Sequence, residues 1–444
     1  MTDFTRRNVL AGTGALLAGT ALAGPALMDW AKAWAAEMPF KPEGGAKLRM
    51  LRWNRFVESE DIQFDKNMAA FQQATGIEVR LDKEFIDDIQ PKAAVAANTG
   101  RGPDVIWGPM SIPHLIPDKL IDLTDVANYL GEKYGGWYDM PKAYGTRDDA
   151  WIAIPLCVGG NYMNYRVSWL KEVGFDKFPE TTDELMKASM ELKKAGHPGG
   201  MALGRATGDG NGWTHWLVWA FGGKMVDEEG KVVINSKETR ASLEYIKELY
   251  PYWIEGTASW TDSHNNKIFL SDQLAYTNNG ISIYAAAVRD SAKDPNMKAI
   301  AEDMDHAFYP IGPVGTPTEL QFPFMVEAFK HSKYPNACKA LIAFLMEAPQ
   351  MNAWLQESVG YFTQTLKAYE DHPIWTEDPK NTVFKYATTR SLDMGYAGPL
   401  GYAAAGVLAD FVIVDMVSSA ATGQASIEDA IQLAEKRANR YYRV

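Results

Sequence analysis

Cysteine is almost missing from this chain of 444 residues, which carries only Cys157 and Cys338. Two thiols exclude a disulfide-stapled scaffold, and their spacing excludes a zinc site built on paired thiolates. Whether the two pair with each other cannot be read from their positions. Histidine is scarce as well, at seven residues, and no two share the spacing of metal ligands, so neither a metal nor a cofactor is expected. No Gly-x-Ser-x-Gly turn marks a serine nucleophile. Basic residues are outnumbered, 44 against 56 acidic ones for a net charge of -12. They do not cluster, which argues against nucleic acid as a partner.

The beginning of the chain is rich in what signals export. Arg6 and Arg7 form a charged start, and a small-residue apolar stretch follows from Val9 to Met28. That order is the order of an export signal. Ala33-Trp34-Ala35 offers small residues at the two positions a signal peptidase reads, so residues 1-35 are expected to be removed and the protein to reside in the periplasm. The adjacent arginines in Thr5-Arg6-Arg7-Asn8-Val9-Leu10 point to the twin-arginine pathway, although Val9 stands where Phe is commoner. No Cys follows the stretch, so a lipid anchor there has no support.

The remaining length exceeds what one hydrophobic core usually fills, so two domains are expected. Lys47 to Trp53 reads as a strand, Asp61 to Thr75 as a helix closed by Gly76, and Ile77, Val79 and Leu81 as alternating strand positions. An alanine-rich helix near 89-98 and a short apolar strand at 104-107 come next. The alternation implies a parallel sheet with helices on its faces, an α/β class. Thr181 with Glu184 fits a capping box, and 335-346 shows the clearest apolar stripe of the chain.

In such sheets ligands bind beyond the carboxyl ends of the strands. Trp53, Asn54, Arg55 and Glu58 follow the first strand, and Trp107 ends the third. Trp213 and Trp216 sit in a glycine-rich segment with Asn211 and His215. Aromatic rings suit the apolar faces of sugars, and a few amides and carboxylates suit their hydroxyls. Glu58, Glu60 and Asp61 could equally counter a cationic ligand.

Several segments resemble the maltose-binding-protein-like solute receptors, the extracellular solute-binding proteins of family 1. They are Phe71 to Val79 with its Thr-Gly-Ile, Gly102-Pro103-Asp104-Val105, the Tyr162 to Tyr165 strand, Gly222-Gly223-Lys224, Asn279-Gly280, and the helix from Pro335. The resemblance implies a two-lobed periplasmic binding protein-like fold of type II. Lobe 1 is expected at 47-155 plus about 322-365, and lobe 2 at 156-321 plus about 366-444. It implies a monomeric receptor that closes on a small solute, a carbohydrate first of all, and hands it to the permease subunits of an ABC transporter. Asn161, Asn279, Tyr284 and Tyr361 join the expected ligand set by this likeness. Two rival readings stay open: a receptor of the same fold for a polyamine, and a periplasmic glycan hydrolase. No catalytic residue can be named for the latter.

Overall fold

The computed structural model describes residues 25-54 and 56-443, with side chains from Met28 onward. The arginine pair and Arg55 lie outside the described residues. The strands of the two main sheets are β1 (Lys47–Trp53), β2 (Glu78–Glu84), β3 (Val105–Pro109), β4 (Ile154–Gly159), β5 (Tyr162–Arg166), β6 (Tyr276–Asn279), β7 (Met304–Ala307), β8 (Phe322–Ala328) and β9 (Phe362–Thr363). Among the helices are α1 (Pro25–Glu37), α2 (Glu58–Thr75), α3 (Ile86–Thr99), α4 (Thr182–Lys194), α5 (Asp209–Ala220), α6 (His264–Leu270), α7 (Pro335–Leu345), α8 (Ala348–Glu357) and α9 (Val412–Thr422).

The chain forms two compact units, unit 1 from residues up to Val158 and from Pro323 to Thr388, unit 2 from Gly159 to Phe322 and from Thr389 on. Unit 1 carries a six-stranded sheet in the order β9-β4-β8-β3-β1-β2. β1 runs parallel to β2 and to β3, while β8 lies antiparallel to β3 with Val326 opposite Trp107. Every residue of β3 and β8 is buried, as expected of strands covered on both faces. Gly76 ends α2 in the left-handed conformation (φ 72°), its N–H donating to the Gln72 carbonyl, a cap that suits glycine because it has no Cβ to strain.

Residues 366-388, expected in lobe 2, belong to unit 1. Three contacts hold them there: Tyr369 Oη donates to the Met346 carbonyl at 3.0 Å, Trp375 Nε1 to Gln364 at 3.1 Å, and Thr363 Oγ1 to the Phe384 carbonyl at 2.7 Å. The packing of α1 on α2 also lies in unit 1. The expected cleavage boundary at residue 35 therefore falls inside α1.

Unit 2 has a smaller sheet, β6-β5-β7, antiparallel throughout. At the start of α4, Thr181 and Glu184 form the expected capping box, each accepting from the other's backbone N–H. The stretch from Tyr402 to Thr422 is long and apolar enough to cross a membrane. It is mostly buried inside the protein, and α9 packs against α5. Both cysteines are free and buried, and both lie in unit 1.

Candidate functional site

Unit 1 places Trp53 at the expected strand end, whereas Trp107, expected to end the third strand, is the middle residue of β3, which runs on to Pro109; the fold turns both rings inward. Trp53 is 1% exposed and Trp107 fully buried. Their centroids lie 4.4 Å apart, Phe324 covers Trp53 at 4.3 Å, and Phe64 stacks on Trp107 at 5.1 Å. The Arg52 guanidinium sits 4.4 Å from the ring centroids of both Phe64 and Trp107. Both rings thus pack against aromatic neighbours of unit 1.

The same cluster accounts for two of the acidic residues. Arg52 Nη2 donates to both Glu60 oxygens at 2.9 and 3.0 Å, and Trp354 Nε1 adds a third bond at 2.9 Å. Burial raises the Glu60 carboxyl above its ordinary range, against the pull of Arg52. Lys83 reaches Asp61 at 2.7 Å. A buried carboxylate must be paired in this way to stay in place, and the pairing leaves little charge for a cationic ligand.

What remains accessible in unit 1 is different. Asn54 is exposed, and its backbone N–H is held by the Glu84 carbonyl. Glu58 is half-buried in the first turn of α2. Phe56 and Tyr361, both half-buried, stack with centroids 6.0 Å apart and planes at 29°. Phe56 follows Trp53, Asn54 and Arg55 in sequence without being placed in the expected ligand set. Its signal was its place three residues beyond the end of β1.

Unit 2 gathers amides. Asn161, at the start of the segment that leads into β5, is clamped by Gln321: its N–H donates to Gln321 Oε1 at 2.6 Å, and Gln321 Nε2 donates back to its carbonyl at 3.2 Å. Its side-chain Nδ2 donates to Asp209 Oδ1 at 2.7 Å, and Asn265 Nδ2, on α6, donates to Asp209 Oδ2 at 2.8 Å. Tyr309 Oη at 2.5 Å and Asn278 Nδ2 at 2.9 Å both donate to Asn161 Oδ1. Burial, then the nearby Asp262, pushes the Asp209 carboxyl well above its usual range. The Oδ1 atoms of Asn278 and Asn211 are buried acceptors with no hydrogen-bond partner among the described residues.

Of the remaining candidates in unit 2, Trp216 reaches this cluster through Tyr309 and the others are held elsewhere. Trp216 stacks on Tyr309 at 5.0 Å and donates to the Pro310 carbonyl at 2.9 Å. Trp213, 1% exposed, donates to the Ala202 carbonyl at 2.6 Å and meets Trp253 edge-on. Asn279 shares a hydrogen-bonded ring with Asn266 and Ser282. Tyr284 is edge-on to His306 at 5.7 Å and packs on the apolar cluster of Ile283, Ile300 and Met304. His215 is fully buried, bonded to the Asn211 carbonyl at 2.8 Å, and burial pushes its pKa down to about 4. No cluster of metal-ligating side chains occurs among the described residues.

The family described as bacterial extracellular solute-binding proteins matches residues 66–383, more than half of the chain. The chain belongs to that family. This solute-binding protein is 22% identical over 260 residues to a probable ABC transporter-binding protein of Deinococcus radiodurans, a match covering 56% of the chain. It spans 58% of that relative's length. Among solved structures, it resembles maltose-bound MalE3 of T. maritima with a TM-score of 0.76 at 24% identity, covering 89% of this chain and 100% of the other. A sugar transporter of Arthrobacter chlorophenolicus A6 with bound laminaribiose gives 0.76 at 15% identity, covering 89% and 99%. These likenesses establish the α/β fold of two-lobed binding proteins.

Proposed function

We propose that this protein is the solute-binding component of an ABC importer, that its solute is a sugar or related polyol, and that it delivers this solute to membrane permease subunits. The observation that carries the reading is the family match over residues 66–383, and the amide cluster of Asn161, Asp209, Asn265 and Asn278 supplies neutral hydrogen-bonding groups in unit 2. Sugar hydroxyls are neutral donors and acceptors of the kind that a few amide side chains recognise. Maltose and laminaribiose in the two similar structures support the same class. Phe56 and Tyr361 provide an aromatic surface on unit 1, and Asn54, Arg55 and Glu58 flank it in sequence. Membership in an extracellular family supports an exported, periplasmic protein, and Arg6-Arg7 supports the twin-arginine route.

A polyamine receptor is disfavoured, because Glu60 and Asp61 are already engaged by Arg52 and Lys83. The deciding experiment is a thermal-shift panel of sugars, polyols and polyamines on the purified protein, since a ligand that binds the folded state raises its melting temperature. A shift with one carbohydrate class and no turnover establishes the receptor. A shift with amines alone, or conversion of a glycan, overturns it.

A further inference from the structure

α1 does not have the character of a discarded leader. Trp30 and Trp34, one turn apart, are 6% and 3% exposed, and Ala31 between them is fully buried. The two indoles stack at 6.4 Å, and both rest on Phe344 of α7, at 6.1 and 5.1 Å. Phe344 in turn meets Phe71 of α2. Trp34 Nε1 also donates at 3.0 Å to Glu347, a fully buried carboxylate. Glu347 collects Tyr129 Oη at 2.5 Å, Tyr134 Oη at 2.6 Å and Lys133 Nζ at 2.7 Å. Cutting after Ala35 would strip both indoles from this surface, leave Phe344 uncovered and take one donor from Glu347. Asp29 and Lys32, on the opposite side of α1, are also foreign to the apolar region of a signal.

A second small-residue pair lies just upstream, Ala21 and Ala23 in Gly19-Thr20-Ala21-Leu22-Ala23-Gly24. It lies within the uncharged run that extends from Val9 to Met28, fourteen residues after Val9 for Ala23, whereas Ala33 and Ala35 come only after the charges of Asp29 and Lys32. Pro25 then opens α1 at its first position, where a missing N–H is no loss. We infer that the export signal is cut between Ala23 and Gly24, so that α1 stays with the mature protein as a docked part of unit 1. Hydrolysis of that bond by the host signal peptidase consumes one water and leaves a carboxyl on Ala23 and an amine on Gly24. The inference rests on the reading of the chain as exported.

The test is the intact mass of the protein recovered from the periplasm after expression of the full chain, together with two variants. A mass starting at Gly24 is expected, with uncut precursor accumulating for Ala23→Asp and normal processing for Ala35→Asp. A periplasmic protein starting at Ala36, or the reverse behaviour of the variants, overturns the processing site while leaving the export reading standing. Uncut protein confined to the cytoplasm overturns both. Independently of export, Trp34→Ala in the purified full chain should lower the melting temperature by roughly 5–10 °C. An unchanged transition would show that α1 is not docked and would sink the inference.

Discussion

The indole of Trp216 lies nearly flat against the ring of Tyr309, with centroids 5.0 Å apart and planes at 27°, and the Tyr309 hydroxyl donates to Asn161. A ring on α5 thereby sets the position of an amide at the start of β5. Tyr309→Phe keeps the stack and removes only the donor. The lost bond should cost about 1 kcal/mol of stability, and solute affinity should fall by up to about tenfold as Asn161 loses its anchor. Isothermal titration calorimetry on the two proteins checks this, and unchanged affinity would remove Asn161 from the site.

Trp107→Ala should act on the fold. On the strand-end position expected for it, this change would weaken binding and spare the melting transition. With Phe64, Trp53, Trp354 and Arg52 packed around the ring, the expected loss is instead about 3–5 kcal/mol of stability. Denaturant unfolding reads it directly.

Phe56→Ala combined with Tyr361→Ala removes a half-buried aromatic pair whose Tyr361 also meets the buried Phe362 edge-on at 4.7 Å. The double variant should lose roughly 1–2 kcal/mol of sugar affinity and shift the melting transition by only a few degrees. A large loss of stability with intact affinity would assign the pair to packing.

His215 makes stability depend on pH with a definite sign. Its folded pKa, about 4, lies below the ordinary value of 6.5, so between those values the unfolded chain binds the extra proton. Stability from this group is therefore present above pH 6.5 and is lost as pH falls toward 4, by up to about 3 kcal/mol. His114, also pushed down to about 4 by burial, adds a slope of the same sign. The melting temperature of His215→Gln should fall less steeply over that window than that of the parent. An identical slope in both proteins would refute the assignment.

Both thiols should be silent in the native protein and titrate only after unfolding. Burial raises the pKa of Cys157 and takes that of Cys338 up to about 12, so neither offers a thiolate at neutral pH. Reductant should leave the melting transition unchanged, and a reductant-induced drop would reveal a bridge instead.

The elements of unit 1 were largely legible because their signals are local. Alternation at Ile77, Val79 and Leu81 and the helix stop at Gly76 each depend on a few neighbouring residues, as does the capping box of Thr181 and Glu184 in unit 2. The placement of Trp53 at the end of β1 was legible too, while Trp107, expected at the end of the third strand, sits in its middle. Which way their rings turn was not legible, because β3 is buried on both faces and period-two alternation then carries no inside and outside. The amide cluster was read through Asn161 and, by family likeness, through the loop of Asn278 and Asn279. Asp209, Asn265, Asn278 and Tyr309 come from separate stretches, and only the folding of unit 2 brings them together. The placement of residues 366-388 was missed for the same reason, since Tyr369 and Phe384 are held by partners distant in sequence.

The order of strands in unit 1 bears on how the protein is made. β8 lies between β4 and β3, yet it leaves the ribosome after all of β1 to β7. Until residue 328 has been synthesised, β3 and β4 each present an unpaired edge made of buried-type residues. Exposed apolar edges of that kind invite pairing between chains. The nascent protein therefore spends much of its synthesis as an open sheet missing an interior strand. A cell making it in quantity needs either a chaperone on those edges or an export step that waits for the whole chain.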